Sequence, residues 1–111
     1  MNRHKHVNWD DPGAHSVLAF FKHHPDDYRE PARGSVLSAR YSGHVVRVKV
    51  AAYVDNTSIG DVAAIITPTT GERVSSVGDL RLGDTVRLPD DKRAMETPPE
   101  EESVDDDDPK D

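Results

Sequence analysis

The 111-residue chain contains no cysteine. That absence excludes a disulfide framework and any thiolate metal site, and it leaves the redox compartment open. No apolar run approaches the ~20 residues that a membrane-spanning helix needs, and no charged start followed by an apolar stretch resembles a secretory signal. The expectation is a protein without a membrane partner, cytoplasmic or, if viral, in a virion. Catalytic signatures are missing too. There is no G-x-S-x-G elbow, phosphate-binding loop, G-x-G-x-x-G or H-E-x-x-H in the chain. No enzymatic activity, cofactor or metal site is expected.

Two weaker patterns also fail. The six histidines include His4 and His6 around Lys5 and the pair His23-His24, but adjacent histidines on one helical turn point in different directions, and no third ligand has a recognisable spacing. They read as solvated surface groups. Asp55 to Asp61 begins like a calcium loop with Asp55 first and Gly60 sixth. Thr57 and Ile59 occupy the third and fifth positions, where oxygen ligands belong, so the segment reads as an ordinary loop. Asn56-Thr57-Ser58 matches a glycosylation sequon, a chance match without a secretory signal.

What the chain does have is an uneven distribution of charge. Its net charge of −7 divides into −1 over residues 1–32, +2 over 33–93 and −8 over 94–111. Acidity therefore belongs to one end. Three segments follow from this: an arm with a helix at 1–32, a β-module at 33–89 and an acidic tail at 90–111.

In the first segment Ala14, Val17, Leu18 and Phe21 recur at helical spacing and predict one apolar face. Asp11 is placed to cap the helix with Pro12 behind it, and Pro25 biases His24 away from helical geometry, ending it near His23. A helix this short must pack on something. Val17, Leu18 and Phe21 are the candidate partner-docking residues.

The middle segment alternates like a sheet. Val46, Val48, Val50, Ala52 and Val54 fall on one side of a strand over His44–Val54, with Val45, Arg47, Lys49, Ala51 and Tyr53 on the other. A two-residue hairpin at Ser42-Gly43 pairs Tyr41 with His44, Ala39 with Val46 and Leu37 with Val48. After the Asp55–Gly60 loop, Val62–Ile66 reads as a strand buried on both faces. The turn Pro68-Thr69-Thr70-Gly71, a weaker strand over Glu72–Val77 and a last strand over Thr85–Leu88 complete the set. Gly78-Asp79 and Gly83-Asp84 punctuate the approach to that last strand, with Leu80 and Leu82 expected inward or along the seam. Five short strands with tight turns predict a mainly β fold: a small five-stranded barrel, OB-like first and SH3-like second.

Arg40, Arg47, Lys49 and Tyr53 are predicted to share the outer face. Cations neutralise phosphates and an aromatic ring stacks on a base, so this basic face carries the alternative function, single-stranded nucleic-acid binding. Tyr53 is the only aromatic expected there, and +2 over about sixty residues is a modest footprint. The tail offers a third use. Glu100, Glu101, Glu102, Asp105, Asp106, Asp107 and Asp108 form an acidic arm, expected to be disordered unless a partner orders it. Tethered near a basic face, it has a high effective concentration there.

The order Gly34-Ser35-Val36, Val46-Arg47-Val48-Lys49-Val50, Thr70-Gly71 and Gly83-Asp84-Thr85-Val86-Arg87-Leu88 resembles the OB-type barrels of tailed-virus spike and baseplate proteins, over residues 33–88. That resemblance implies a structural component docking on other protein subunits in an oligomeric assembly, its leading function a non-enzymatic one in a larger complex such as a virion.

Overall fold

The computed structural model of the protein describes residues 5–96. Among the described residues seven strands form in chain order: β1 (Val36–Tyr41), β2 (His44–Val54), β3 (Thr57–Ile66), β4 (Arg73–Val74), β5 (Ser76–Val77), β6 (Leu80–Arg81) and β7 (Thr85–Pro89). Among the same residues one α-helix, α1 (Val17–His23), precedes them. The main antiparallel sheet runs β1-β2-β3-β4, with β7 on the same edge of β3 as β4, further along it. β5 and β6 make a small separate hairpin.

The β1–β2 hairpin has the expected register. Tyr41 faces His44, Ala39 faces Val46 and Leu37 faces Val48. Ser42 and Gly43 both take positive φ, 50° and 79°, the left-handed pair that matches the twist of the flanking strands. Alternation then sends Leu37, Ala39, Val46, Val48 and Val50 inward.

A second two-residue turn of the same kind joins β2 to β3. Asp55 and Asn56 sit at φ 53° and 60°, so β3 begins at Thr57. The expected loop over Asp55–Gly60 is therefore mostly strand, and Ser58 within it is completely buried. Two bulges interrupt the β2–β3 ladder, between Arg47 and Val48 and between Val50 and Ala52. Each extra residue bends the sheet and reverses which side chains face the core. Beyond the second bulge Ala52 and Val54 are exposed, contrary to their expected inward placement. At that bulge the chains come so close that a Cβ on Gly60 would lie 2.1 Å from the Lys49 carbonyl oxygen. Glycine is required there for lack of space.

The sheet does not close into the expected barrel. β1 and β7 are not paired with each other, and the chain ahead of α1 occupies the gap. Lys5 bridges β7, its N–H donating to the Thr85 carbonyl at 2.7 Å. Trp9 Nε1 donates to the Arg87 carbonyl at 2.7 Å, and the Asp10 N–H donates to the Arg40 carbonyl on β1 at 2.7 Å. Val7 and Trp9 thereby join a core of Leu37, Ala39, Val46, Val48, Val50, Val62, Ile65, Leu80, Val86 and Leu88. This eases the edge problem without closure, because the Arg40 carbonyl on the β1 edge and the Thr85 and Arg87 backbone groups on the β7 edge find partners in the arm. Leu80 is buried in that core, whereas Leu82 is exposed, so only the first of the two leucines points inward.

Candidate functional site

Two surfaces carry the candidate residues of the described chain: the outer face of the sheet and the helix α1. On the outer face, register places Arg40 across from Val45, Val45 across from Ile66 and Ile66 across from Arg73. The adjoining rows hold Ser38, Arg47 and Ala64, then Val36, Lys49, Asp61 and Thr85. Arg40, Arg47 and Lys49 thus share the face expected of them. Arg73 and Arg87 join them, each exposed and alternating with inward residues of its strand. Sequence reading missed these two, although the signal was present: Arg87 stands between Val86 and Leu88, and Arg73 stands beside Val74.

Tyr53 does not belong to the face. The bulge at Ala51 turns it to the side of Ser58 and Leu88, where its hydroxyl donates to the Asp90 carboxylate. Burial first, and that hydrogen bond second, push the Tyr53 hydroxyl well above the ordinary phenol range. A ring held in this way is not a stacking platform on the cationic face.

The cations are already engaged in part by the chain beyond β7. Ala94 N–H donates to the Ser38 carbonyl at 2.8 Å, and Arg40 Nη2 donates to the Met95 carbonyl at 2.9 Å. Arg47 then grips Glu96 with two bonds, Nε to Oε2 at 2.7 Å and Nη2 to Oε1 at 2.9 Å, while the Ser38 hydroxyl donates to the same carboxylate. The Arg47 hydrogen bond is the main reason the Glu96 carboxyl lies below the usual carboxylate range, with burial opposing it. The same bond raises Arg47 above its ordinary value. His15, Arg40, Val45, Arg47, Ile66, Pro68 and Glu96 line a shallow cavity of about 320 Å³ here. The side chains of Lys49 and Arg73 make no hydrogen bond or ion pair among the described residues.

α1 differs from its expected form at the start. Asp11 instead accepts the Gly13 N–H within a short 3-10 turn, Gly13–His15, so Ala14 is not on the helical face. Ser16 is the true cap, its hydroxyl oxygen accepting the Ala19 N–H at 3.2 Å. No residue of the helix is buried. Val17 and Phe21 are half-buried, Phe21 edge-on to Tyr28, and Leu18 is 49% exposed. Leu18 opens on a groove of about 510 Å³ shared with Tyr28, Asn56, Pro89, Asp90 and Asp91.

The acidic-arm residues Glu100, Glu101, Glu102, Asp105, Asp106, Asp107 and Asp108 lie outside the described residues. Among the described residues no helix is long and apolar enough to cross a membrane, and no group of three or more histidine or carboxylate side chains is placed to hold a metal ion. No protein-family model, curated protein or solved structure matches the chain.

Proposed function

We propose that the protein is a non-enzymatic binding module, a structural or assembly component of a larger complex whose partners are other protein subunits. The observation that carries this reading is α1. Its sequence, Val17-Leu18-Ala19-Phe20-Phe21, is strongly apolar, yet none of it is buried. Seven residues are too few for a helix to persist on propensity, so stability must come from packing, and a partner laid along Leu18 and the groove beside it supplies that packing. The resemblance to tailed-virus OB-type barrels extends the proposal to a virion component and to an OB-like ancestry for the opened sheet. Outside a virion the location proposed is the cytoplasm. The test is a native mass measurement of the full chain and of Leu18→Asp. Wild type is expected to run above its 12.3 kDa chain mass and the variant at it; a monomeric wild type sinks the reading.

One observation favours a second reading, single-stranded nucleic-acid binding: the outer face carries five cations, Arg40, Arg47, Lys49, Arg73 and Arg87, two more than sequence reading placed there. Titration of labelled single-stranded DNA and RNA at low and moderate salt separates the two. Binding that falls steeply with salt favours the second reading, and no binding removes it.

A further inference from the structure

We infer that the outer face of the sheet is the docking surface for this chain's own acidic segment, residues 97–111. The inference is independent of the assembly reading, which concerns α1. Three observations converge on it.

The first is the path of the chain. The Ala94 N–H donates to the Ser38 carbonyl at the outer edge of β1 and the Met95 N–H to the His15 carbonyl. Arg40 holds the Met95 carbonyl and Arg47 of β2 holds the Glu96 carboxylate, so the last described residue already lays its side chain on the face. The second is charge. Against Arg40, Arg47, Lys49, Arg73 and Arg87 the face sets Asp61, which accepts the Thr85 hydroxyl at 2.8 Å, and Glu96 itself. Residues 97–111 carry eight carboxylate side chains and the single cation Lys110. Glu96 is thus the first of a run of acids, and its two-bond grip by Arg47 sets the pattern for those that follow. The third is reach. Fifteen residues extend up to about 50 Å, and the four strands of the face are spaced at about 4.8 Å, so the segment can cross from Arg47 to Arg73 several times over. Tethering at Glu96 gives its carboxylates a high effective concentration at Lys49 and Arg73, and no deep pocket is needed.

The bland alternative is a solvated sheet face with a salt bridge at one corner. It leaves Val36, 55% exposed across from Lys49, and the half-buried Ile66 across from Arg73 in water. A polypeptide covers such side chains with its backbone and with Pro98, Pro99 and Val104, while its carboxylates reach the neighbouring cations.

The absence of cysteine gives a direct test. A Ser103→Cys variant of the full chain carries one nitroxide at a unique thiol, and paramagnetic broadening is read on backbone amides and arginine Nε–H signals. At low salt the signals of Arg47, Lys49, Ile66 and Arg73 are expected to be lost while those of Asp79–Leu82 survive, and raising the salt is expected to restore them. Lys49→Glu combined with Arg73→Glu, two exposed side chains that hold no part of the core, is expected to restore them at low salt. Survival of the face signals at low salt overturns the inference, as does equal loss in the charge-reversed variant. Mixing nitroxide-bearing chains with isotope-labelled chains that lack it decides the host: loss in the labelled chains places the segment on a second copy and overturns docking within one chain. Face signals that ignore the nitroxide and shift only on adding single-stranded DNA overturn it in favour of nucleic acid.

Discussion

The inner face of the sheet and the helix α1 are both apolar in sequence, yet they end in opposite states. The inner face is sealed: Val46, Val48, Ile65, Val86 and Leu88 are completely buried, and the chain around Val7 and Trp9 crosses the gap between β7 and β1 to finish the job. α1 buries no residue completely and leaves Leu18 half exposed. Apolar composition alone does not distinguish them. The difference is that the sheet satisfies itself, in hydrogen bonds and in packing, whereas the helix is attached mainly through its first turn and Ser16, with Val17 N–H on the Arg93 carbonyl. One region holds the fold together, and the other leaves apolar surface in water.

Substitutions can break that contrast, beginning with the sealed side. Trp9→Ala removes a buried ring, its bond to Arg87 and its edge-on contact with Tyr41, and is expected to cost about 3–5 kcal/mol in denaturant unfolding. If the arm were a dispensable strap, the midpoint would hardly move. Gly60→Ala drives a Cβ against the Lys49 carbonyl and is expected to cost about 1–3 kcal/mol, because both strands are fixed by their ladder at the bulge.

The ion pair at the corner of the outer face should show itself through pH. The Glu96 carboxyl is depressed in the folded protein, so its contribution is complete above the ordinary carboxylate range and is lost as pH falls through the depressed value. Both side chains are about a third exposed, at 34% each, so solvent screening limits the contribution to below about 1 kcal/mol. Glu96→Gln is expected to lower stability by that amount at neutral pH and to flatten the acid limb of a stability-against-pH curve. Smallest in stability is Leu18→Asp, within about 0.5 kcal/mol of wild type in thermal melts because the side chain is already in water. Under the proposed assembly its effect falls instead on the native mass.

Legibility followed the same division. The β1–β2 hairpin could be read because Ser42-Gly43 and the valine alternation agree, and the inward-facing set up to Val50 followed from period two alone. The second hairpin could not, since Thr57-Ser58-Ile59-Gly60 looks like a polar, glycine-containing loop. It is strand because Ser58 fits a crowded interior and Gly60 a close backbone approach. A bulge carries no mark in a single sequence, so the reversal that exposes Val54 and removes Tyr53 from the cationic face was hidden. Closure of the sheet was misjudged for a related reason. Val7 and Trp9 alternate with His6, Asn8 and Asp10, a period-two run of only two apolar residues, and long-range contacts to Arg87, Arg40 and Tyr41 reveal them as core. Arg40, Arg47 and Lys49 were legible as a group because they lie within the one hairpin whose register was readable.

Amide hydrogen exchange across α1, followed as a function of protein concentration, tests most directly whether the helix is a docking surface. If the helix docks on a partner subunit, Leu18, Ala19, Phe20 and Phe21 are expected to exchange quickly at high dilution and to gain protection as the assembly forms, with the core amides of β2 and β3 protected throughout. Unprotected helix amides at every concentration, beside a wild-type protein that stays at its monomer mass, would contradict it.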